Sequence, residues 1–427
     1  LEKPYTVSHG IYFLSALCGD GSIRSSDFRL ILAATFLRSS ATGLVGIVLG
    51  AYLAQLQLPP ATVGLIIAAG LTGGAFAATF LTFAGGKNSR RASLIVLSAL
   101  SALGGLAATT FTQPIVLSVV AFFGMLNGMG RDRGAALILE QAILPAITSD
   151  ERRTRTFAWY NVLQDSGHAV GGLITTLPAL ILGVALGGSG VDSRFMLLVY
   201  AAMMAAVTLI YFGLSPAVES GGGVSPRVVS THTKRIVGKI SALFFVDSLG
   251  GGFLTTALLS WFFFKRFGVG IESVGLLFFG ARVLNAISHL GAAWLARRIG
   301  LVNTMVFTHI PSSLLLVTVA IAPNFLIAAM LFLLREGLVE MDVPTRQSYV
   351  MAVVAPEERV FASGMTNLVR LGGWAIGPLV AGALTQGVAL MAPLVAGAGM
   401  KICYDITLYF SFRHIKPPEE HRNNARS

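Results

Sequence analysis

The stretch GMGRDRGAALILEQ, residues 128–141, places two arginines, an aspartate and a glutamate inside an otherwise apolar run. A second stretch, LREGLVEMDVPTRQSY (334–349), holds Arg335, Glu336, Glu340, Asp342 and Arg346 in a similar setting. Other apolar runs are interrupted at Arg38, Asp165, Asp247, Arg282, Arg370, Lys401 and Asp405. A guanidinium group in such surroundings suits recognition of a carboxylate or phosphate, because its planar fork offers two parallel hydrogen bonds. Two carboxylates one helical turn apart, as Glu336 and Glu340 would be, suit proton binding, because like charges in a low dielectric do not both stay ionised without cost. No Walker phosphate loop, HExxH zinc site or nucleophile elbow occurs in the chain. Its two cysteines, Cys18 and Cys403, form no metal-ligand spacing. Neither an enzyme nor a metal site nor a cofactor is therefore expected.

The elements that must position these charges follow from composition. The chain is 54% hydrophobic and only 12% charged, against about 25% charged in an ordinary soluble domain. The apolar residues form continuous runs long enough to cross a hydrocarbon core, which takes about 20 helical residues. Their continuity excludes a membrane barrel, whose strands alternate over about 10 residues. Twelve spans are predicted, at 28–55, 60–85, 91–111, 114–147, 155–186, 194–214, 238–264, 272–296, 300–320, 324–354, 359–388 and 391–413. With the N-terminus in the cytoplasm, 20 lysines and arginines fall on the cytoplasmic side and 3 on the other, so both termini are expected inside. The net charge of +11 is thereby read as membrane orientation rather than nucleic-acid binding.

The two halves repeat each other. YNVLQDSGHAVGGLI (160–174) aligns with TNLVRLGGWAIGPLV (366–380), EQAILPAITSDER (140–152) with QSYVMAVVAPEER (347–359), and FLRSSATG (36–43) with FVDSLGGG (245–252). Six spans per half give parallel repeats, an arrangement found about an axis along the membrane normal in one transporter fold. The predicted organisation is a cytoplasmic N-terminal segment (1–27), a six-helix bundle (28–214), a cytoplasmic linker rich in Gly, Ser and Pro (215–237), a second bundle (238–413) and a cytoplasmic tail (414–427).

In this plan the chain resembles the major facilitator superfamily. The loop FAGGKNSRR (83–91) matches that family's pattern between helices 2 and 3 at Lys87, Arg90 and Arg91, with Gly86 where the family has an acid. WLARRIGLVN (294–303) matches the equivalent later loop at Arg298 and Gly300, with Arg297 replacing the acid. The resemblance implies an all-α polytopic membrane protein of twelve transmembrane helices in two pseudo-symmetric bundles. It also implies that spans 1, 4, 7 and 10 line a central cavity. Most of the charges within spans lie on those four.

Several readings stay open at this level. Arg38 and Asp247 occupy matched repeat positions, as a substrate or gating pair or as a permanent structural ion pair. Arg131 and Arg133 are about 200° apart on a helix, so one faces the cavity and the other a neighbour such as Asp165, with Asp132 as local counter-ion. Glu140 is a gate or packing contact, and Asp342 with Arg346 an i,i+4 pair. Glu336 and Glu340 either share a proton or each pair with an arginine. His168 is a packing residue or a titrating one; Asp165 is a candidate partner of Arg282 across the halves; Lys401 and Asp405 are an i,i+4 structural pair. Substrate contacts are expected at Arg38, Arg131, Arg133, Asp247 and Arg335, and proton coupling or gating at Glu336, Glu340, Asp342, Asp132, Asp165, Arg346 and Arg370.

The function expected is secondary active transport of a small anionic or zwitterionic solute by alternating access, coupled to protons. The alternatives are a multidrug–proton antiporter, or a non-transporting sensor or lipid scramblase on the same fold. The expected partners are the solute, protons and membrane lipid, with no nucleic acid. The expected form is a monomer in a bacterial inner membrane.

Overall fold

The computed structural model describes residues 23–84, 89–147, 153–178, 192–219, 230–352, 354 and 358–412. Residues 1–22, the stretch 85–88 with Lys87 of the first family loop, 220–229 of the linker and the tail from 413 lie outside these residues. Among the described residues all regular structure is helical. The α-helices are α1 (Ile23–Gln55), α2 (Pro60–Ala84), α3 (Arg90–Thr110), α4 (Pro114–Gly124), α5 (Ala135–Ile147), α6 (Arg153–Ile174), α7 (Ser193–Phe212), α8 (Thr231–Gly252), α9 (Thr256–Phe267), α10 (Ile271–Ile299), α11 (Leu301–Ile321), α12 (Phe325–Val339), α13 (Asp342–Ala352), α14 (Arg359–Gly387) and α15 (Ala392–Phe412). Each of the twelve apolar runs contains helix, and eight spans among the described residues are long and apolar enough to cross a membrane. Ile115, Leu209 and Leu326 are among many large apolar side chains pointing outward, as lipid-facing helices require.

Apolar runs locate spans, and helices extend past them. α8 begins at Thr231 rather than 238, because Ser230 caps it by accepting from Thr233 N–H at 3.2 Å. Glu358 reinforces this end, accepting from Ser230 N–H at 2.6 Å and from the Thr233 hydroxyl. At the corresponding end of α3, Glu219 accepts from the N–H groups of Arg90 at 2.7 Å and Arg91 at 3.1 Å and from the Ser89 hydroxyl. Against a burial that would raise it, these bonds hold the Glu219 carboxyl below the usual carboxylate range. The acid missing at Gly86 thus has a counterpart from a distant part of the chain.

The main departure from the predicted helices is inside the spans. Span 4 is interrupted between α4 and α5: Met125 and Gly130 have φ of 48° and 67°, and the backbone of 125–134 is not helical. Gly130 occupies a left-handed conformation that a side chain disfavours. Span 7 breaks between α8 and α9, and span 10 between α12 and α13, at Glu340 and Met341. The breaks in spans 4 and 10 fall at positions related by the sequence repeat.

The two halves of the chain share a core at one end only. The largest apolar cluster draws on both, with Val48, Tyr52 and Ile66 packed alongside Phe253, Phe263 and Phe332. At the other end two clusters are separate. One is built around Ile31, Leu94, Tyr160 and Tyr211, the other around Val237, Phe244, Tyr349 and Tyr404. The joined end is the one where α1 finishes and α2 starts. There α2 packs closely on α14: a Cβ added to Gly64 would lie 2.2 Å from the Pro378 carbonyl oxygen. Nearby, Ala61 N–H donates to Gln386 at 3.2 Å.

This packing gives a test. Cysteines at 61 and 386 should cross-link in a variant otherwise free of cysteine. Adding Gly64→Leu should abolish most of the cross-linking by driving α2 from α14, as read by band shift on denaturing gels. Undiminished cross-linking would mean that the two helices are not held this closely.

Candidate functional site

The charges of the apolar runs form three networks. In the first, Arg38 on α1 pairs with Glu140 on α5 and with Asp132 in the span 4 break. Glu140 is wholly buried and accepts from Tyr211 Oη at 2.5 Å, Tyr160 Oη at 2.7 Å and Thr35 Oγ1 at 3.0 Å as well. The Arg38 Nε also donates to Tyr211 Oη at 3.3 Å. A buried carboxylate with four donors is a satisfied one.

The second network lies in the other half. Asp247 on α8 accepts from Lys401 Nζ at 2.8 Å and from Arg346 at 3.4 Å, with Arg370 3.9 Å away. Arg346 also pairs with Asp342, the i,i+4 contact expected from the sequence. Lys401 continues to His309 Nε2 at 3.5 Å, whose Nδ1 lies 2.9 Å from both oxygens of Asp405.

The third network crosses between the halves at the breaks. Arg131 pairs with Glu340 at 2.8 Å and donates to Asn285, which donates in turn to Glu336 at 2.9 Å. Glu336 also pairs with its neighbour Arg335. Arg282 reaches the Gly130 carbonyl at 3.5 Å and Thr256 Oγ1 at 3.4 Å. The freed backbone of span 4 is held by span 7: Ala257 N–H donates to the Gly128 carbonyl at 2.9 Å and Thr256 Oγ1 to that of Met129 at 2.8 Å. On the other side, the Asp132 N–H donates to His168 Nε2 at 2.9 Å, so this ring nitrogen is an acceptor with a structural task.

These networks correct several expectations. Arg38 and Asp247 are not partners; each finds opposite charge within its own half. Asp132 neutralises Arg38 rather than its sequence neighbours, because the helix has unwound around it. The same unwinding removes the helical geometry on which the assignment of Arg131 and Arg133 rested. Arg131 crosses to Glu340, while Arg133 stacks on Trp374 at 4.3 Å. Of the two readings left open for Glu336 and Glu340, the structure has each paired with an arginine, with α12 ending between them. Lys401 pairs with Asp247 and not Asp405. Asp165 is exposed and forms no ion pair with Arg282 among the described residues. Sequence reasoning missed Tyr160, Tyr211, His309 and Trp374. The tyrosines and His309 carry polar atoms within apolar runs, the one signal that pointed to them.

Two adjoining cavities result. They share Met129, Arg131, Arg133 and Trp374. Arg38 and Asp132 line the first; Asp247, Arg335, Glu336, Glu340, Asp342, Arg346 and Arg370 line the second. Arg370 stacks on Trp374 at 4.6 Å, so two arginines from opposite halves meet one indole.

An all-helical membrane protein with a charged cavity between two halves has the architecture of a solute transporter. The sequence matches the Major Facilitator Superfamily over residues 31–378, and the chain belongs to that superfamily. It is a transporter rather than an enzyme. It is 24% identical over 422 residues to an uncharacterized membrane protein of Saccharomyces cerevisiae, covering 91% of this chain and 94% of that one. Among solved structures it is similar to the nucleoside transporter NupG, with a TM-score of 0.72 at 17% identity over 90% of this chain and 99% of that one. It is also similar to an inward-facing bacterial homologue of the human lysosomal transporter Spinster, with a TM-score of 0.67 at 13% identity over 92% and 96%. At these identities the likeness is one of fold.

The first network generates a stability prediction. Arg38→Ala strands the buried carboxylates of Glu140 and Asp132 and should cost about 3–5 kcal/mol. The triple change Arg38→Met with Glu140→Met and Asp132→Asn should recover much of that loss. Thermal unfolding in detergent measures both, and equal losses in the single and triple variants would refute a mutually neutralising cluster.

Proposed function

We propose that this chain is a secondary active transporter that carries a small anionic or zwitterionic solute by alternating access, driven by protons. The observation that carries this reading is the charge of the second cavity. Among the described residues, seven arginines and lysines line it against four carboxylates. Arg133 is weakly compensated: its contact is the Trp374 ring, and among the described residues it forms no ion pair. A desolvated cation without a counter-ion is costly. An anion that accepts two hydrogen bonds from the fork offsets that cost.

The two bodies that rock are the bundles 28–214 and 238–413, acting as a monomer surrounded by lipid. With the basic loops in the cytoplasm, the shared core lies toward the opposite face. The separate cores then flank an opening on the cytoplasmic side, and the state is inward-facing. The yeast relative weighs against confining the chain to a bacterial inner membrane.

Coupling runs through Arg131. It is held by Glu340 from the other half, and Glu340 Oε2 is buried without a hydrogen-bond partner. An anion that takes Arg131 leaves Glu340 without its counter-charge, and a proton then replaces the arginine. Substrate and proton thus favour the same state, as coupling requires. Arg335 and Asp247 complete the substrate side. Glu336, linked to Arg131 of the other half through Asn285, changes its contacts as the halves move; Asp342, Arg346, Arg370 and Asp132 keep the ion pairs of their own halves, and Asp165 is the remaining gating candidate.

Flux into proteoliposomes tests this. Candidate anions are first chosen by thermal shift. Arg133→Ala should abolish uptake, and Arg133→Lys should weaken it at least about tenfold, because an ammonium lacks the fork. Glu340→Gln should retain substrate exchange while losing accumulation driven by a pH gradient. Uptake of anions unchanged in Arg133→Ala would sink the anion site, and full accumulation by Glu340→Gln would move the proton elsewhere.

A further inference from the structure

The first cavity differs in chemistry from the second. It lies beside the unwound part of span 4 and is walled by α2, α3 and α7. Gly70, Leu71, Ala75, Leu97, Tyr200 and Met204 form its far wall. The serines there are already committed. Ser98 Oγ donates to the Leu94 carbonyl at 2.8 Å, and Ser101 Oγ to that of Leu97 at 3.0 Å. Arg38 and Asp132, at its edge, neutralise each other. The chamber therefore presents an apolar face. Only the wall shared with the second cavity carries charge without a matching carboxylate, at Arg133 beside Trp374.

We propose that the transported solute is an amphipathic organic anion, its anionic group at Arg133 in the shared wall and its apolar body in the chamber beside span 4. This rests on the anion reading above and deepens it. An occupant that is apolar throughout leaves Arg133 unmatched. A compact hydrophilic anion leaves the chamber without a partner for its walls. An anion with an apolar body satisfies both. Displacing water from such walls is favourable by about a fourfold gain in affinity per buried methylene.

Gly74 offers a clean probe. It lines the chamber, and a Cβ added there meets nothing within 4 Å, so a larger side chain projects into the space without striking backbone. The experiment is calorimetric titration of the protein in nanodiscs with acetate, butanoate, hexanoate and phenylacetate, and with hexanamide as the uncharged counterpart. Affinity should rise at least about tenfold from acetate to hexanoate. Hexanamide should bind at least tenfold more weakly than hexanoate. Gly74→Leu should flatten the series while leaving acetate unchanged, and Gly74→Ala should do so in part. Should Gly74→Leu fail to fold, Gly74→Ala and the wild-type series decide the matter. Carboxylates that bind equally whatever their length, with Gly74→Leu indifferent, overturn the chamber assignment and leave the anion site standing. No carboxylate binding at all overturns both.

Discussion

A peptide backbone that leaves its helix within a membrane must find partners other than water, and that constraint governs this molecule. Residues 125–134 abandon the helix in the middle of span 4, freeing carbonyl and amide groups where each unsatisfied one costs several kcal/mol. The Gly128 and Met129 carbonyls are met by Ala257 and Thr256, and the Asp132 amide by His168. Two of these three contacts reach across to the other half of the chain. The same break carries Arg131, Asp132 and Arg133 and aims them in three directions, at Glu340, Arg38 and Trp374. Irregular backbone at membrane depth is tolerated where it lines a cavity, and two cavities adjoin it here.

Energy is distributed accordingly. Arg38, Glu140 and their tyrosines lock one half internally, and Asp247, Arg346, Asp342 and Lys401 lock the other. Both are buried clusters, valuable less for net stability than for fixing which helices meet. Between the halves, the apolar contacts sit at one end, while among the described residues the centre is held by one carboxylate–guanidinium pair, Arg131 with Glu340, and a few hydrogen bonds. Rigid halves with a sparse central contact suit relative motion of one against the other.

The spans were legible in the sequence because continuous apolar runs have few other physical meanings. The pairing of Asp342 with Arg346 was legible too, because both lie on one uninterrupted helix, α13. Elsewhere, helical spacing misled. Lys401 and Asp405 are well placed for each other on α15, yet Asp247 and His309 compete from neighbouring helices and win. Pseudo-symmetry gave Arg38 and Asp247 equal depth but says nothing about which neighbour lies nearer. The break in span 4 had a visible signal. Asn127 followed by glycines at 128, 130 and 134 is turn chemistry, and the surrounding apolarity masked it. At Glu340 and Met341 the signal was Pro344, which removes a helix hydrogen bond and predicts a kink there; it sits in the first turn of α13, just past the break.

The surplus of positive charge beside Trp374 has an electrical consequence. An empty cavity of this composition is cationic, and an anion within it brings the loaded protein nearer to neutrality. A full elementary charge moved across a membrane experiences about 2.3 kcal/mol per 100 mV. In the rocking cycle proposed above, voltage would bear on the return of the unloaded protein more than on the passage of its cargo. A cytoplasm-negative potential would then hold the vacant binding site on the inner side, so that the resting orientation would be set by the membrane as well as by packing.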